Sequence, residues 1–110
     1  MATTAEFSRL QDGVMQLKAT FTAQNDAVVF QMSRVTAMSI QSVGTHGSAT
    51  IDIQASNDGV TYAALPTAVS LTTAGHKSVA LADLGFRFYR VIELAASATL
   101  TAYVVAMEAR

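Results

Sequence analysis

The sequence predicts an all-β protein, an antiparallel β-sandwich or jelly roll built from about eight short strands. Short apolar segments alternate with Thr, Ser, Gln or Asp, which is the period of two expected of half-buried strands. Turn-forming residues separate these segments at intervals of roughly 8–12 residues. The chain has 110 residues, enough for one hydrophobic core, so a single domain over 1–110 is expected.

The clearest predicted strand is 49–55, where Ile51, Ile53 and Ala55 share one face. A helix would scatter these three side chains around its circumference. Comparable segments are expected at 15–21, 27–32, 38–43, 69–71, 78–81, 86–94 and 98–107. The last of these carries apolar residues on both faces, which is typical of a central strand or of one covered by a partner.

Turn chemistry is strongest at Asn57-Asp58-Gly59, because Asn and Asp tolerate left-handed backbone angles and Gly adopts a positive φ at little cost. Further loops are expected at 24–26, 43–48 and 72–76. The N-terminal stretch Thr4 to Leu10, with Thr3 or Thr4 as a cap, is the main helix candidate. An ordered arm over residues 1–12 is the alternative.

The chain carries few charges for its size. Charged residues make up 14% and hydrophobic residues 51% of the sequence, whereas an average soluble domain is about 25% charged. Such a surface suits faces that become buried against partners, in a homo-oligomer such as a trimer or in a larger assembly. A monomer with a Thr-rich sheet face is the alternative interpretation.

Composition also argues against several classes of function. The net charge is −1 and there is no basic run, so nucleic-acid binding lacks its electrostatic driver. The apolar runs are far shorter than the ~20 residues that span a bilayer, and no amphipathic basic segment indicates a membrane surface. Cys is absent and the N-terminus does not resemble a secretory signal, so synthesis in a reducing cytoplasm is expected.

No residue pattern indicates catalysis, a metal or a cofactor. His46 and His76 fall in Gly-containing loops without acidic or Cys residues at ligand spacing, so we expect both to be solvated. Asp52, Asn57 and Asp58 surround one hairpin but lack the acidic spacing of a calcium loop. The sequence contains no Gly-x-Ser-x-Gly elbow and no phosphate-binding glycine loop. The expectation is a protein that is not an enzyme.

The most distinctive segment is Phe86-Arg87-Phe88-Tyr89-Arg90-Val91. Arg and aromatic residues are enriched at interfaces, which favours a binding surface that includes Arg87, Tyr89 and Arg90. The same segment is also typical of a core strand with inward aromatics, each Arg being paired with Asp83, Glu93 or a backbone carbonyl. The two interpretations are compatible.

Two segments resemble the small β-sandwich virion proteins of tailed bacteriophages. They are the strand–turn–strand unit Ile51 to Tyr62, which contains Ser-Asn-Asp-Gly, and the later strand Leu84 to Val91. A closing alternating strand, Ala98 to Met107, completes a resemblance that runs from Met38 onward. The arrangement is also similar to discoidin-like and carbohydrate-binding jelly rolls, although aromatic residues make up only 7% and Trp is absent.

The resemblance implies a non-catalytic virion protein, made in a host cytoplasm, that decorates or cements the head by binding the major capsid protein. Phe7, Leu10, Met15 and Leu17 are then candidate contacts in an N-terminal arm or edge strand, beside Arg87, Tyr89 and Arg90. The alternatives are a tail, head–tail connector, fibre or baseplate component, and a carbohydrate- or receptor-binding module.

Overall fold

The structure is a computed structural model that describes residues 4–11, 13–31, 35–79 and 84–108. Every element in these ranges is a β-strand. The strands are β1 (Thr4–Gln11), β2 (Val14–Phe21), β3 (Ala27–Gln31), β4 (Val35–Val43), β5 (Thr50–Ser56), β6 (Ala63–Leu71), β7 (Gly75–Ser78), β8 (Phe88–Leu94) and β9 (Leu100–Glu108). No helix among the described residues has the length and apolarity needed to cross a membrane.

The strands form two antiparallel sheets. A five-stranded sheet has the order β1-β2-β9-β4-β7, and a four-stranded sheet has the order β3-β8-β5-β6. Strands β2 to β9 alone give two four-stranded sheets connected as in a jelly roll, and β1 adds a fifth strand to one of them. The predicted all-β sandwich is therefore confirmed, with nine described strands where about eight were expected.

Alternation along β9 explains its central position. Leu100, Ala102, Val104 and Ala106 are buried against the opposite sheet, as predicted. The alternate residues lie on the outer face, and β9 is paired on one side with β2 and on the other with β4. A strand flanked on both sides has its backbone fully paired within the sheet. This central position agrees with the apolar residues that β9 carries on its outer face as well as on its inner face.

The N-terminal stretch is strand β1, so the predicted helix at Thr4 to Leu10 is wrong. Ala5 and Phe7 alternate with Glu6 and Ser8, and each lies opposite a residue of β2 in antiparallel register. Pairing with β2 gives the backbone N–H and C=O groups along one edge of β1 hydrogen-bond partners. An isolated helix of two turns would not be stable in water. A register irregularity lies between Arg9 and Gln11. Residues 1–3 and 12 of the proposed arm lie outside the described residues. So do Met32 of the strand predicted at 27–32 and residues 80–81 of the strand predicted at 78–81.

The predicted turn at Asn57-Asp58-Gly59 is confirmed between β5 and β6. Gly59 has a φ of 77°. The Asp58 carboxylate accepts hydrogen bonds from the Ser56 hydroxyl at 2.7 Å and from the Val60 and Thr61 backbone amides, both at 2.8 Å. These three donors, with the Ser56 hydroxyl as the largest contribution, lower the pKa of Asp58 from 3.8 to about 2.

We expect Ser56→Ala to raise the pKa of Asp58 back toward 3.8, because it removes the strongest of the three donors. Since folding lowers this pKa, the stability that the carboxylate provides is present above pH 3.8 and is lost as pH falls toward 2. A carboxyl carbon NMR titration of both proteins measures the shift. An identical Asp58 titration in the two proteins would contradict the role assigned to Ser56.

The two segments that carry the phage-like resemblance contact each other. The Arg87 backbone amide donates to the Asn57 side-chain oxygen at 3.1 Å. A Cβ placed on Gly59 would lie 3.2 Å from the Phe88 ring, so the absence of a side chain there lets the turn approach β8 closely. Asn57 and Gly59 therefore have structural roles, because they join the turn after β5 to β8.

Candidate binding surfaces

Arg87, Tyr89 and Arg90 take three different positions. Tyr89 is 0% exposed, its ring stacks on Phe30 at a centroid distance of 5.7 Å, and its hydroxyl accepts a hydrogen bond from the Phe86 amide. Tyr89 is therefore a core residue rather than a surface contact. Its burial raises the pKa of its phenol, against a smaller opposite effect of the Phe86 amide.

The two arginines lie on the outer side of the four-stranded sheet. Arg90 donates from Nε to Gln54 Oε1 at 2.7 Å, and its guanidinium lies 4.6 Å from the Tyr62 ring centroid. Arg87, which precedes β8, is exposed and lies 5.3 Å from the Phe88 ring centroid. Arg90 therefore pairs with Gln54 rather than with the acidic residues or backbone carbonyls predicted as partners. One of these predicted partners, Asp83, lies outside the described residues.

The N-terminal candidates also differ in how far their side chains are buried. Leu17 is 0% exposed and belongs to the core, and Met15 is half-buried against the core. The side chain of Leu10 lies outside what the structure describes. Phe7 is 52% exposed, so it is the member of this group that the structure places at the surface.

Phe7 is exposed because β1 overhangs the sandwich. Strands β6 and β7, each an edge of its sheet, contact each other across the two sheets. Counting strands from that side, β2 faces β3, and β1 has no strand of the four-stranded sheet opposite it. Ala5 and Phe7 are accordingly exposed, whereas their register partners on β2, Ala19 and Leu17, are fully buried.

The two sides of the sandwich differ in how their edges are protected. On one side, β7 has only four residues, and β6 contains Pro66 within a register irregularity opposite Ile53 and Gln54. Short length, proline and irregular pairing all prevent edge-to-edge association. On the other side, β1 has eight residues and β3 five, neither contains proline, and the one irregularity described in β1 lies near its end, between Arg9 and Gln11. By these criteria the β1/β3 side is the less protected of the two against pairing with another chain.

A second surface, absent from the sequence-based expectations, is a cleft on the outer face of the five-stranded sheet. It has a volume of about 440 Å³. The following residues line what we term the Tyr103 cleft: Gln16, Ser39, Ile40, Gln41, His76, Lys77, Ser78, Tyr103 and Val105. The sequence alternation of β9 predicts that Tyr103 lies on this outer face. The identity of its neighbours depends on the register of β2, β4 and β7, which the sequence pattern does not give.

Polar groups are also buried at one end of the sandwich. His46, predicted to be solvated, is only 4% exposed. Its Nδ1 lies 3.0 Å from the Ala49 carbonyl oxygen and its Nε2 lies 2.6 Å from the Ser42 hydroxyl. Since a carbonyl only accepts, Nδ1 carries a proton, and in the neutral ring Nε2 accepts from Ser42. His76 lies on β7 and is exposed, at the Tyr103 cleft.

Glu93 lies near His46 with its side chain 0% exposed. One carboxyl oxygen accepts from the Ala98 amide at 3.3 Å, while the other has no hydrogen-bond partner among the described residues. Burial raises the pKa of Glu93 and is the largest effect. The Ala98 amide opposes it, and smaller effects of Asp26 and His46 raise and lower the pKa, respectively. No three His, Cys, Asp or Glu residues in the described ranges are grouped as metal ligands.

Comparisons with known proteins identify the fold. No known family model matches the sequence, and no curated protein matches it. The cupin domain of Schizosaccharomyces pombe Cnp3 has a TM-score of 0.57 and 9% identity, over 97% of this chain and 61% of that chain. Peruvianin-I, a cysteine peptidase from Thevetia peruviana latex, has a TM-score of 0.53 and 11% identity, over 96% of this chain and 61% of that one.

A carbohydrate-binding module, CBM32 of AlyQ in complex with 4,5-unsaturated mannuronic acid, has a TM-score of 0.52 and 13% identity, over 98% of this chain and 95% of that chain. The chain therefore spans about three-fifths of the cupin and peptidase structures but nearly all of this module. At these identities the likeness establishes a jelly-roll β-sandwich and nothing about activity. The resemblance to phage virion proteins stays a prediction.

Proposed function

We propose that the chain is a non-catalytic structural protein of a tailed-phage virion that decorates or cements the head lattice. The observation that carries the proposal is the overhang of β1, which leaves Phe7 and Ala5 uncovered beside two edges that are less protected than those on the opposite side. The low charge of the chain and the phage-like segments from Ile51 to Tyr62 and from Leu84 to Val91 support it.

The proposed mechanism is physical. An extended segment of the major capsid protein pairs with the edge of β1 or β3 and covers the Phe7 ring. A second copy of the chain at the same edge would give a homo-oligomer. Binding to the assembled lattice but not to its dissociated subunits stabilises the lattice by mass action. Repetition of the contact around a symmetry axis adds avidity to contacts that are individually weak.

We expect Phe7→Asp to weaken binding to expanded, empty phage heads by about tenfold or more, because it places a charge where the contact excludes water. Val60→Asp is the matched control, since Val60 is 82% exposed in the β5–β6 turn, away from β1. Co-sedimentation with heads measures both affinities. Equal weakening by the two variants, or by neither, would contradict a contact at β1.

The tail, the head–tail connector, the fibre and the baseplate are the alternative positions in a virion. The same edge contact would operate at each of them, but the number of copies differs. A lattice position requires on the order of hundreds of copies, and an axial position requires about a dozen or fewer.

The second candidate function is a carbohydrate-binding module. The fold of such a module covers nearly the whole chain, and the Tyr103 cleft provides a concave surface of ligand size. Titration of the purified chain with neutral and acidic oligosaccharides tests this function. Saturable binding supports it, and the absence of binding to every oligosaccharide contradicts it.

A further inference from the structure

We propose that the Tyr103 cleft is the ligand site and that it binds a neutral sugar, with the Tyr103 ring as the platform on which the sugar packs. The proposal rests on the second candidate function, carbohydrate binding, and adds the location and the chemical class of the ligand. Such a site lies on the outer face of the five-stranded sheet, whereas Phe7 lies on the same face as buried Leu17, so the two proposed functions do not compete for one surface.

The register of four strands builds the site. Lys18, Tyr103, Gln41 and His76 lie opposite one another in one row across β2, β9, β4 and β7. Gln16, Val105, Ser39 and Ser78 form the next row. Neighbouring strands are about 4.8 Å apart, so the two rows together place amide, hydroxyl and imidazole groups around one aromatic ring, that of Tyr103. An apolar face ringed by polar groups matches the two kinds of surface of a pyranose.

The polar side chains of the cleft are available to a ligand. In the part of the chain that the structure describes, no hydrogen bond joins another protein group to the side chains of Gln16, Ser39, Gln41, His76, Ser78 or Tyr103. The opposite outer face differs, because there Gln54 is bound to Arg90 and Asp52 accepts from Ser70. Each glutamine amide and each hydroxyl both donates and accepts, as recognition of sugar hydroxyls requires.

The charges around the cleft favour a neutral ligand. The lining residues include no carboxylate, and the one lysine among them, Lys77, donates from Nζ to the Ser70 carbonyl at 2.9 Å. Lys18, which flanks Tyr103, lies directly opposite Glu6 in the sheet. The Lys77 ammonium is thus directed toward β6 of the other sheet, and Lys18 has an acidic residue opposite it on β1, an arrangement that favours a neutral ligand over a uronate or a phosphate.

The size of the surface favours an oligosaccharide. The cleft volume of about 440 Å³ is within the range of small-molecule sites. A smaller depression of about 260 Å³ adjoins it and shares Ser39, Ser78 and Val105. The described residues that line it are mainly apolar, so a second sugar unit can extend along the sheet over this surface.

The test is an NMR titration of the whole chain with chitotetraose, cellotetraose and tetragalacturonate. We expect saturable binding of at least one neutral probe, weaker binding of the acidic one, and amide shifts concentrated at the cleft. Tyr103→Ala should weaken the neutral probe by roughly tenfold or more, because it removes the packing surface. Gln41→Ala should weaken it less. Thr101→Ala, on the same face of β9 but outside the lining, should change the affinity by less than about twofold.

Two results would overturn the inference while leaving carbohydrate binding intact. One is neutral-sugar binding that Tyr103→Ala does not change, with shifts at the loops between the strands. The other is binding of tetragalacturonate as tight as, or tighter than, binding of the neutral probes. Absence of binding by all three probes would instead remove the second candidate function, and the inference with it.

Discussion

Replacing Tyr89 with alanine is expected to remove about 3–5 kcal/mol from the free energy of unfolding. Tyr89 is 0% exposed and its ring contacts Phe30 in a stacked arrangement and Phe86 in an edge arrangement. Alanine would leave a cavity between the sheets and remove both ring contacts. Because domains of this size are stable by only about 5–15 kcal/mol, the variant should lose a large part of its stability.

Denaturant unfolding of matched tyrosine variants measures the effect. Tyr89→Phe keeps the ring and loses only the hydrogen bond from the Phe86 amide, so a cost of about 1 kcal/mol is expected. Tyr62→Ala removes a half-buried ring under Arg90 and should cost about 1 kcal/mol or less. A Tyr89→Ala cost no larger than that of Tyr62→Ala would contradict the core position of Tyr89 and restore it as a surface contact.

Glu93→Gln is expected to stabilise the protein by about 1–3 kcal/mol at pH 8, because it removes the negative charge of a buried carboxylate that lies near Asp26 and has one unpartnered oxygen. The amide oxygen can still accept from the Ala98 backbone. Folding raises the pKa of Glu93 above its ordinary 4.5, so the wild-type protein loses stability as pH rises through the folded-state pKa. Below pH 4.5 the carboxyl is protonated in both states, and the advantage of the variant should disappear.

Free energies of unfolding between pH 4 and pH 8 test this second prediction. Glu6→Gln is the control, since Glu6 is exposed on β1 and its replacement should change stability by less than about 0.5 kcal/mol. A Glu93→Gln variant that is less stable than the wild type at pH 8 would contradict the destabilising effect assigned to the ionised carboxylate.

Local sequence patterns predicted the strands whose two faces differ in polarity. Ile51, Ile53 and Ala55 were placed correctly on the inner face of β5, and the Asn57-Asp58-Gly59 turn follows from the backbone needs of its residues. For β1 the sequence left a helix, an arm and an edge strand open, because an overhanging edge strand lacks the strong contrast between buried and exposed residues. Its conformation depends on β2, with which it pairs.

The candidate surfaces depend on partners that lie far away in the sequence. Tyr103 is beside Lys18 and Gln41 only because β9 pairs with β2 and β4 in one particular register. His46 is buried because Ser42 and the Ala49 carbonyl supply both of its hydrogen bonds, which its Gly-rich neighbours in sequence did not indicate. The exposure of Phe7 follows from five strands facing four, a property of topology rather than of local pattern.

Quantitative mass spectrometry of tailed-phage virions, purified from a host strain whose DNA encodes the chain, tests the central proposal most directly. A head decoration protein should be present at on the order of hundreds of copies per particle, in a fixed ratio to the major capsid protein. A dozen copies or fewer would move the protein to the tail, the connector or the fibre. Its absence from the particle would contradict a structural role in the virion and leave carbohydrate binding as the function to pursue.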